Sequence, residues 1–317
     1  MAWTLSTSVD DFHARAGGFL AASPARNTVL LTVVNRLRAR GPHYYGERVP
    51  VFGWWCPEPG GPVGGAFLRT PPFGLRLGEM PDRAAAELAA ELAGSPAVGP
   101  AANGDGPADG AGNGSGPGAV PVDVTEVAGG DHAVAAFSAA WQAATGATAS
   151  VRTRERLYRL GGPPAPPRPP AGRSRLAGPA ERELVIDWLG RFLVEARLTP
   201  TDVAALADDR IADRQLHLWE DGGRPVALAG HSAVLAGMSR IGPVYTPPEH
   251  RGHGYASGVT AAASAHALGL GATEVLLYTD LSNPTSNSIY RQIGYRPVED
   301  CTVLEFRAAA AAATGAA

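Results

Sequence analysis

The stretch VYTPPEHRGHGYA, Val244 to Ala256, decides how the chain is read. An apolar strand-like pair runs into Pro247 and Pro248, which lack an N–H and cannot continue a ladder. A loop carrying Gly252 and Gly254 then opens straight into the helix-forming run YASGVTAAASAHALGLG. The first turn of a helix leaves its N–H groups without intrahelical partners at the positive end of the helix dipole, which favours an anion. Glycines there let the backbone approach a phosphate closely. The same residues also read as a plain strand–turn–helix connection. A Walker loop is excluded, because all 27 basic residues are Arg and the chain has no lysine. That absence also removes lysine Schiff-base chemistry.

Working outward, PAERELVIDWLGRFLVEA (179–196) has the spacing of an amphipathic helix, and TPTDVAALADDRIADR (199–214) that of a second with a Thr cap. QLHLWED, a DGGRP turn, PVALAGHSAVLAG and MSRIGPVYT read as three strands in a meander. Beyond the loop and its helix come the strand EVLLYTD, the helix NPTSNSIYRQIG and the strands YRPVEDC and TVLEFR. The predicted order, ααβββαβαβ, is an α/β domain with one mixed sheet.

Within that order, Arg251-Gly252-His253-Gly254-Tyr255-Ala256 follows the fourth strand. Asn283 ends the fifth, seven residues before the helical Tyr290, and Gly294-Tyr295 follows. Together these pieces resemble the GNAT superfamily of acyl-CoA-dependent N-acetyltransferases over roughly Arg173 to Arg307. Its hallmarks are an Arg/Gln-x-x-Gly-x-Gly/Ala loop and this Asn, Tyr and Gly-aromatic series. The resemblance implies an N-acetyltransferase that moves acetyl from acetyl-CoA, its co-substrate, to a primary amine by direct attack in a ternary complex. The alternative is a non-catalytic acyl-CoA sensor or scaffold on the same fold.

The resemblance also implies roles for residues. Arg251 would belong to the cofactor-binding set, and the loop N–H groups of Gly252, His253, Gly254, Tyr255 and Ala256 would cradle the pyrophosphate. The strand edge at Val244, Tyr245 and Thr246 would pair with the pantetheine arm. Asn283 would contact that arm, serve as an N-cap before Pro284, or both. Asn287 is either a cofactor contact or a surface polar residue. Tyr290 would be the general acid that protonates the departing thiolate, unless it merely packs. The base is not visible: Glu249 reads as solvated, and His231 as a core or surface histidine. His250 and His253 flank a glycine loop without carboxylate support, so no metal is expected. The acids Asp202, Asp208, Asp209 and Asp213 would attract a cationic amine or form the solvated face of a helix.

The N-terminal half has no equivalent of the glycine loop. VPVFGWWC, GPVGGAFLRT and FGLRLGEM read as strands, PDRAAAELAAELAG as a helix, and VPVDVTEVAG, DHAVAAFSAAWQAATG and SVRTRERLYRLG as strand, helix and strand. This half, 1–160, reads as a degenerate copy of the same fold or as a substrate-side domain, in tandem with 173–307. Trp54, Trp55, Phe67 and Phe73 would then be core, interdomain surface or one wall of an acceptor cleft. Gly/Pro-rich residues 94–120 read as a disordered insertion, Pro-rich 161–172 as a linker, and Ala-rich 308–317 as a disordered tail. A net charge of -3 gives no footprint for nucleic acid, and no apolar run suits a membrane span. The early acids and absent basic-then-apolar pattern at the N-terminus suggest a cytoplasmic protein. The expected partner is a small-molecule or peptide amine, and the expected state a monomer or homodimer. Cys56 and Cys301 match neither a zinc nor a redox pattern.

Overall fold

One order of elements occurs twice. The structure, a computed structural model, describes residues 2–94 and 122–308. The first run is β1 (Ala2–Ser6), α1 (Val9–Ala22), α2 (Thr28–Arg40), β2 (Val51–Cys56), β3 (Gly65–Arg69), β4 (Leu75–Leu77), α3 (Asp82–Gly94), β5 (Glu126–Gly130), α4 (Asp131–Thr145) and β6 (Thr148–Leu160). The second is β7 (Arg173–Leu176), α5 (Arg182–Glu195), α6 (Val203–Ala212), β8 (Leu216–Asp221), β9 (Arg224–His231), β10 (Met238–Tyr245), α7 (Tyr255–Gly269), β11 (Glu274–Asp280), α8 (Pro284–Gln292) and β12 (Tyr295–Arg307). Both runs read βααβββαβαβ, and the parallel pairing of β4 with β5 recurs between β10 and β11. The chain is a tandem α/β fold. The expected insertion and tail lie, past their first residues, outside the described residues.

The compact units do not follow a single cut at 160–173. One draws on residues 1–19, 46–152 and 303–317, the other on 20–45 and 153–302. Each 13-residue strand, β6 and β12, therefore contributes one end to each unit. Helices α1 and α2 occupy 9–40, a stretch with no element expected from the sequence, and α2 belongs to the second unit.

In the first unit β1 to β4 form an antiparallel meander, with β5 added in parallel. Trp3, Phe67, Leu88, Val127, Phe137 and Phe306 share its core, and the Trp3 indole donates to the Ala84 carbonyl (2.9 Å). Gly53 has no alternative there, since a Cβ would fall 2.2 Å from the Phe67 ring. Trp55 and Phe67 are core residues, not cleft wall.

In the second unit the strands run in the order β6, β11, β10, β9, β8, β7, parallel only between β10 and β11. Successive strand residues point to opposite faces, so each face has its own core. Tyr158, Ala227, Ala229, Val275 and Leu277 meet Val259, Ala263 and Ala267 of α7 and Tyr290 and Ile293 of α8. On the other face Leu218, Leu228 and Tyr245 meet Val185, Trp188 and Leu189 of α5 and Ala207 of α6. Leu31 of α2 packs against Leu157, Met238 and Leu276. The Pro-rich stretch is part of this unit and not a free spacer. Gly161 donates to the Gly294 carbonyl (3.0 Å), and the Trp219 indole to that of Ala171 (2.7 Å). Among the described residues no helix is long and apolar enough to cross a membrane.

Candidate functional site

The site begins where two parallel strands part. β10 pairs with β11 from Met238↔Glu274 to Ile241↔Leu277 and no further. Gly242 and Pro243 come next, and proline has no N–H to give a ladder. On its other side β10 shifts register and resumes with Val244↔Ala229 and Tyr245↔Leu228. Meanwhile β11 continues to Asp280 along β6. Val244 and Tyr245 thus keep one neighbour and have an open edge where β11 has diverged. The Tyr245 side chain is committed to the core beside Trp188, so only its backbone faces this gap.

After β10 the chain makes a 3-10 turn at Pro248–His250 and enters the glycine loop. Gly252 (φ 84°) and Gly254 (φ 82°) both occupy the left-handed region, and Gly254 caps α7. No acid lies in the first turn of α7. Arg251 is a brace: its Nε donates to the Thr246 carbonyl (2.9 Å) and its Nη2 to Glu195 (2.7 Å). The Tyr255 hydroxyl donates to the Asp221 carboxylate, and His253 stacks on the Tyr255 ring at 5.5 Å. What this loop can offer a ligand is therefore mainly backbone N–H. The Pro-rich stretch borders it, because a Cβ on Gly254 would lie 3.6 Å from Pro170 Cβ, and one on Gly258 2.7 Å from Pro170 Cγ.

Asn283 caps α8, its Oδ1 accepting the Ser286 N–H (3.0 Å). Asn287 is not a surface residue, being only 5% exposed. Its amide donates to the carbonyls of Asp280 and Asn283 (2.8 Å each), and its Oδ1 accepts the Tyr158 hydroxyl (2.9 Å). Both N–H donors are spent inside the fold, tying the end of β11 to the start of α8. Asn287→Leu should take the acceptor from the buried Tyr158 hydroxyl, at about 1–3 kcal/mol, and remove one of two N–H donors from each of the Asp280 and Asn283 carbonyls. Urea unfolding should show a loss of about 2–3 kcal/mol with an unchanged slope.

Tyr290 lies edge-on to Tyr295 at 6.2 Å, in the same core as Tyr255 and Ile293. Burial pushes its pKa up to about 12, partly countered by the Ser286 hydroxyl, so it stays a proton donor at neutral pH. Glu249 is exposed. His231 is buried, its Nδ1 3.0 Å from the Ser232 carbonyl, and its ring faces those of His217 and His266. Burial and its two imidazole neighbours push His217 down to about 4, so this ring is uncharged at neutral pH. The acids of α6 have partners: Asp202 caps the helix, Asp208 pairs with Arg182, and Asp209 and Asp213 pair with Arg36 and Arg40. Sequence reading missed Tyr158 and the histidine trio, because these contacts join distant strands and helices with no local motif.

Residues 182–295 match the family model described as the acetyltransferase (GNAT) family. No curated protein sequence matches the chain. Among solved structures, an acetyltransferase of the GNAT family from Colwellia psychrerythraea is similar, with a TM-score of 0.57 at 12% identity, over 98% of this chain and 100% of that one. A GCN5-related N-acetyltransferase from Sphaerobacter thermophilus gives 0.57 at 13%, over 96% and 95%. A tandem GNAT protein from the clavulanic acid biosynthesis pathway gives 0.53 at 15%, over 98% and 100%. At these identities the structural likenesses establish the tandem fold alone. The parted strands, the glycine loop and α8 all fall within residues 182–295, the segment that matches the acetyltransferase (GNAT) family model.

Proposed function

We propose that the chain is an N-acetyltransferase that uses acetyl-CoA and a primary amine in a ternary complex. The observation that carries this reading is the join of an open β10 edge to a left-handed glycine loop at the mouth of α7. These features fit acetyl-CoA. An edge of unpaired backbone suits the amides of the pantetheine arm, and acid-free N–H groups suit the pyrophosphate. Acetyl-CoA supplies the activated acyl group. Backbone N–H groups on the open edge would donate to the thioester oxygen as it gains negative charge. Tyr290 would donate its phenolic proton toward the departing sulfur. Asn287 acts through position, holding Asn283 and the end of β11 against α8.

The test is CoA release from acetyl-CoA across a panel of primary amines, small molecules and peptides, with calorimetry in parallel. The expected results are turnover with a subset of amines and one equivalent of bound CoA per chain. The first unit has only Gly78-Glu79-Met80-Pro81 between β4 and α3, with no glycine pair to form a second cradle. Tight binding without turnover on any amine would instead mark an acyl-CoA sensor. No binding would remove both readings.

A further inference from the structure

Three histidines of the second unit converge away from the acyl-transfer loop. His217 is the second residue of β8, His231 ends β9, and His266 lies in the last turn of α7. From the loop end of that helix, eleven residues at about 1.5 Å each place His266 about 16 Å along its axis. The three ring centroids are 5.6, 4.9 and 5.2 Å apart, and one nitrogen from each ring lies within 4.8 Å of the others. With metal–nitrogen bonds of about 2.0–2.1 Å, a tetrahedral ion holds ring centres about 3.2 Å from itself and about 5.2 Å from one another. The observed triangle is that size without an ion.

The remaining hydrogen bonds choose the ligand atoms. His231 Nδ1 faces the Ser232 carbonyl at 3.0 Å, and only an N–H can make that contact, so its Nε2 carries a bare lone pair. His217 Nδ1 meets Ser174 Oγ at 3.2 Å. The Nε2 atoms of both rings are buried without a hydrogen-bond partner, on residues only 5% and 2% exposed. Buried polar atoms left unpaired are costly, and an outer carbonyl or hydroxyl on the second nitrogen is how proteins orient metal-bound imidazoles. We propose that His217, His231 and His266 form a binding site for a divalent transition-metal ion of the zinc class, with a fourth position open to solvent-derived ligand.

The half-buried His266 gives the route in. The charged group beside the trio is Arg210, whose Nη1 donates to the carbonyls of His231 (3.1 Å) and Gly242 (3.2 Å). It opposes a cation, so the affinity rests on the three imidazoles and on an anion such as hydroxide in the fourth position. Neither His250 nor His253 takes part.

Metal-free full-length chain should be titrated with Co2+ at pH 7.5 and followed by visible absorption. The expected result is one saturating equivalent with the intense bands of tetrahedral cobalt, displaced by Zn2+. His217→Gln and His266→Gln should each abolish those bands and weaken Zn2+ binding at least about 100-fold. The double variant His250→Gln/His253→Gln should leave both unchanged. Because His217 is buried, circular dichroism must first show that its variant folds; His266→Gln, at a half-buried position, keeps the test open if it does not. Absence of tetrahedral bands would overturn the proposal. So would binding that survives both single substitutions, leaving the trio as a core cluster that holds water.

Discussion

Replacing Tyr290 with Phe should lower kcat about 100- to 10,000-fold while leaving acetyl-CoA binding within about twofold, the range expected when a positioned acid is lost. The substitution removes one oxygen and no carbon, so the ring keeps its place against Tyr295, Tyr255 and Ile293. The lost hydroxyl interacts with Ser286 one turn earlier in α8, where a second hydroxyl remains to meet solvent or ligand. Stability should therefore change by about 1 kcal/mol or less. The diagnostic pattern is a fall in kcat and kcat/KM together, with KM for acetyl-CoA unchanged. A variant that turned over normally would move the acid elsewhere. One that lost cofactor binding as well would make Tyr290 a packing residue whose loss disturbs the arm-binding cleft.

The sequence was legible where chemistry and geometry are local. Gly252 and Gly254 mark a glycine loop that opens into a helix, and both take left-handed φ values there, 84° and 82°. Pro247 and Pro248 announce the end of β10, and the order of the second run of elements emerged except for the short β7. What stayed hidden depends on pairing between distant segments. Nothing in SVRTRERLYRLG says that its end will lie along β11 and present Tyr158 to Asn287. Nothing in the α2 sequence says that Arg36 and Arg40 will neutralise Asp209 and Asp213. The histidine trio is the extreme case. A motif search favours His250 and His253 because they are neighbours in sequence, whereas a register of strands and one helix brings together His217, His231 and His266.

That same contrast separates two kinds of residue around the loop. Arg251 looks in sequence like a phosphate ligand, yet it spends its guanidinium on Thr246 and Glu195, which sets the shape of the turn. Tyr255 and Asn287 are likewise held by Asp221, and by Tyr158 with two carbonyls. The side chains thus build a frame, and the backbone they hold is the binding surface proposed for acetyl-CoA. Substitutions that change a framing side chain should be felt as stability; those that change the backbone should be felt as affinity.

Gly254→Val is the strongest case of the second kind, and should weaken acetyl-CoA binding about 100-fold. At φ 82° a branched side chain sits in a region that L-residues avoid, at a cost of about 1–2 kcal/mol. The neighbouring protein does not forbid the change, since a Cβ there meets only Pro170, in ordinary contact at 3.6 Å. The strain is relieved if the cap of α7 rotates, which turns the first N–H groups of the helix away from the position an anion would take. A hydrogen bond to a charged group contributes about 1.5–3 kcal/mol, so losing one or two accounts for the expected factor. Calorimetry with CoA should show the loss mainly in affinity, and kcat at saturating acetyl-CoA should fall less than about tenfold because Tyr290 is untouched. Gly252→Ala, with nothing within 4 Å of its Cβ, should show the smaller effect of backbone strain alone. Equal binding by the valine variant and the unaltered chain would mean that the pyrophosphate is held by side chains, and the mouth of α7 would no longer be its cradle.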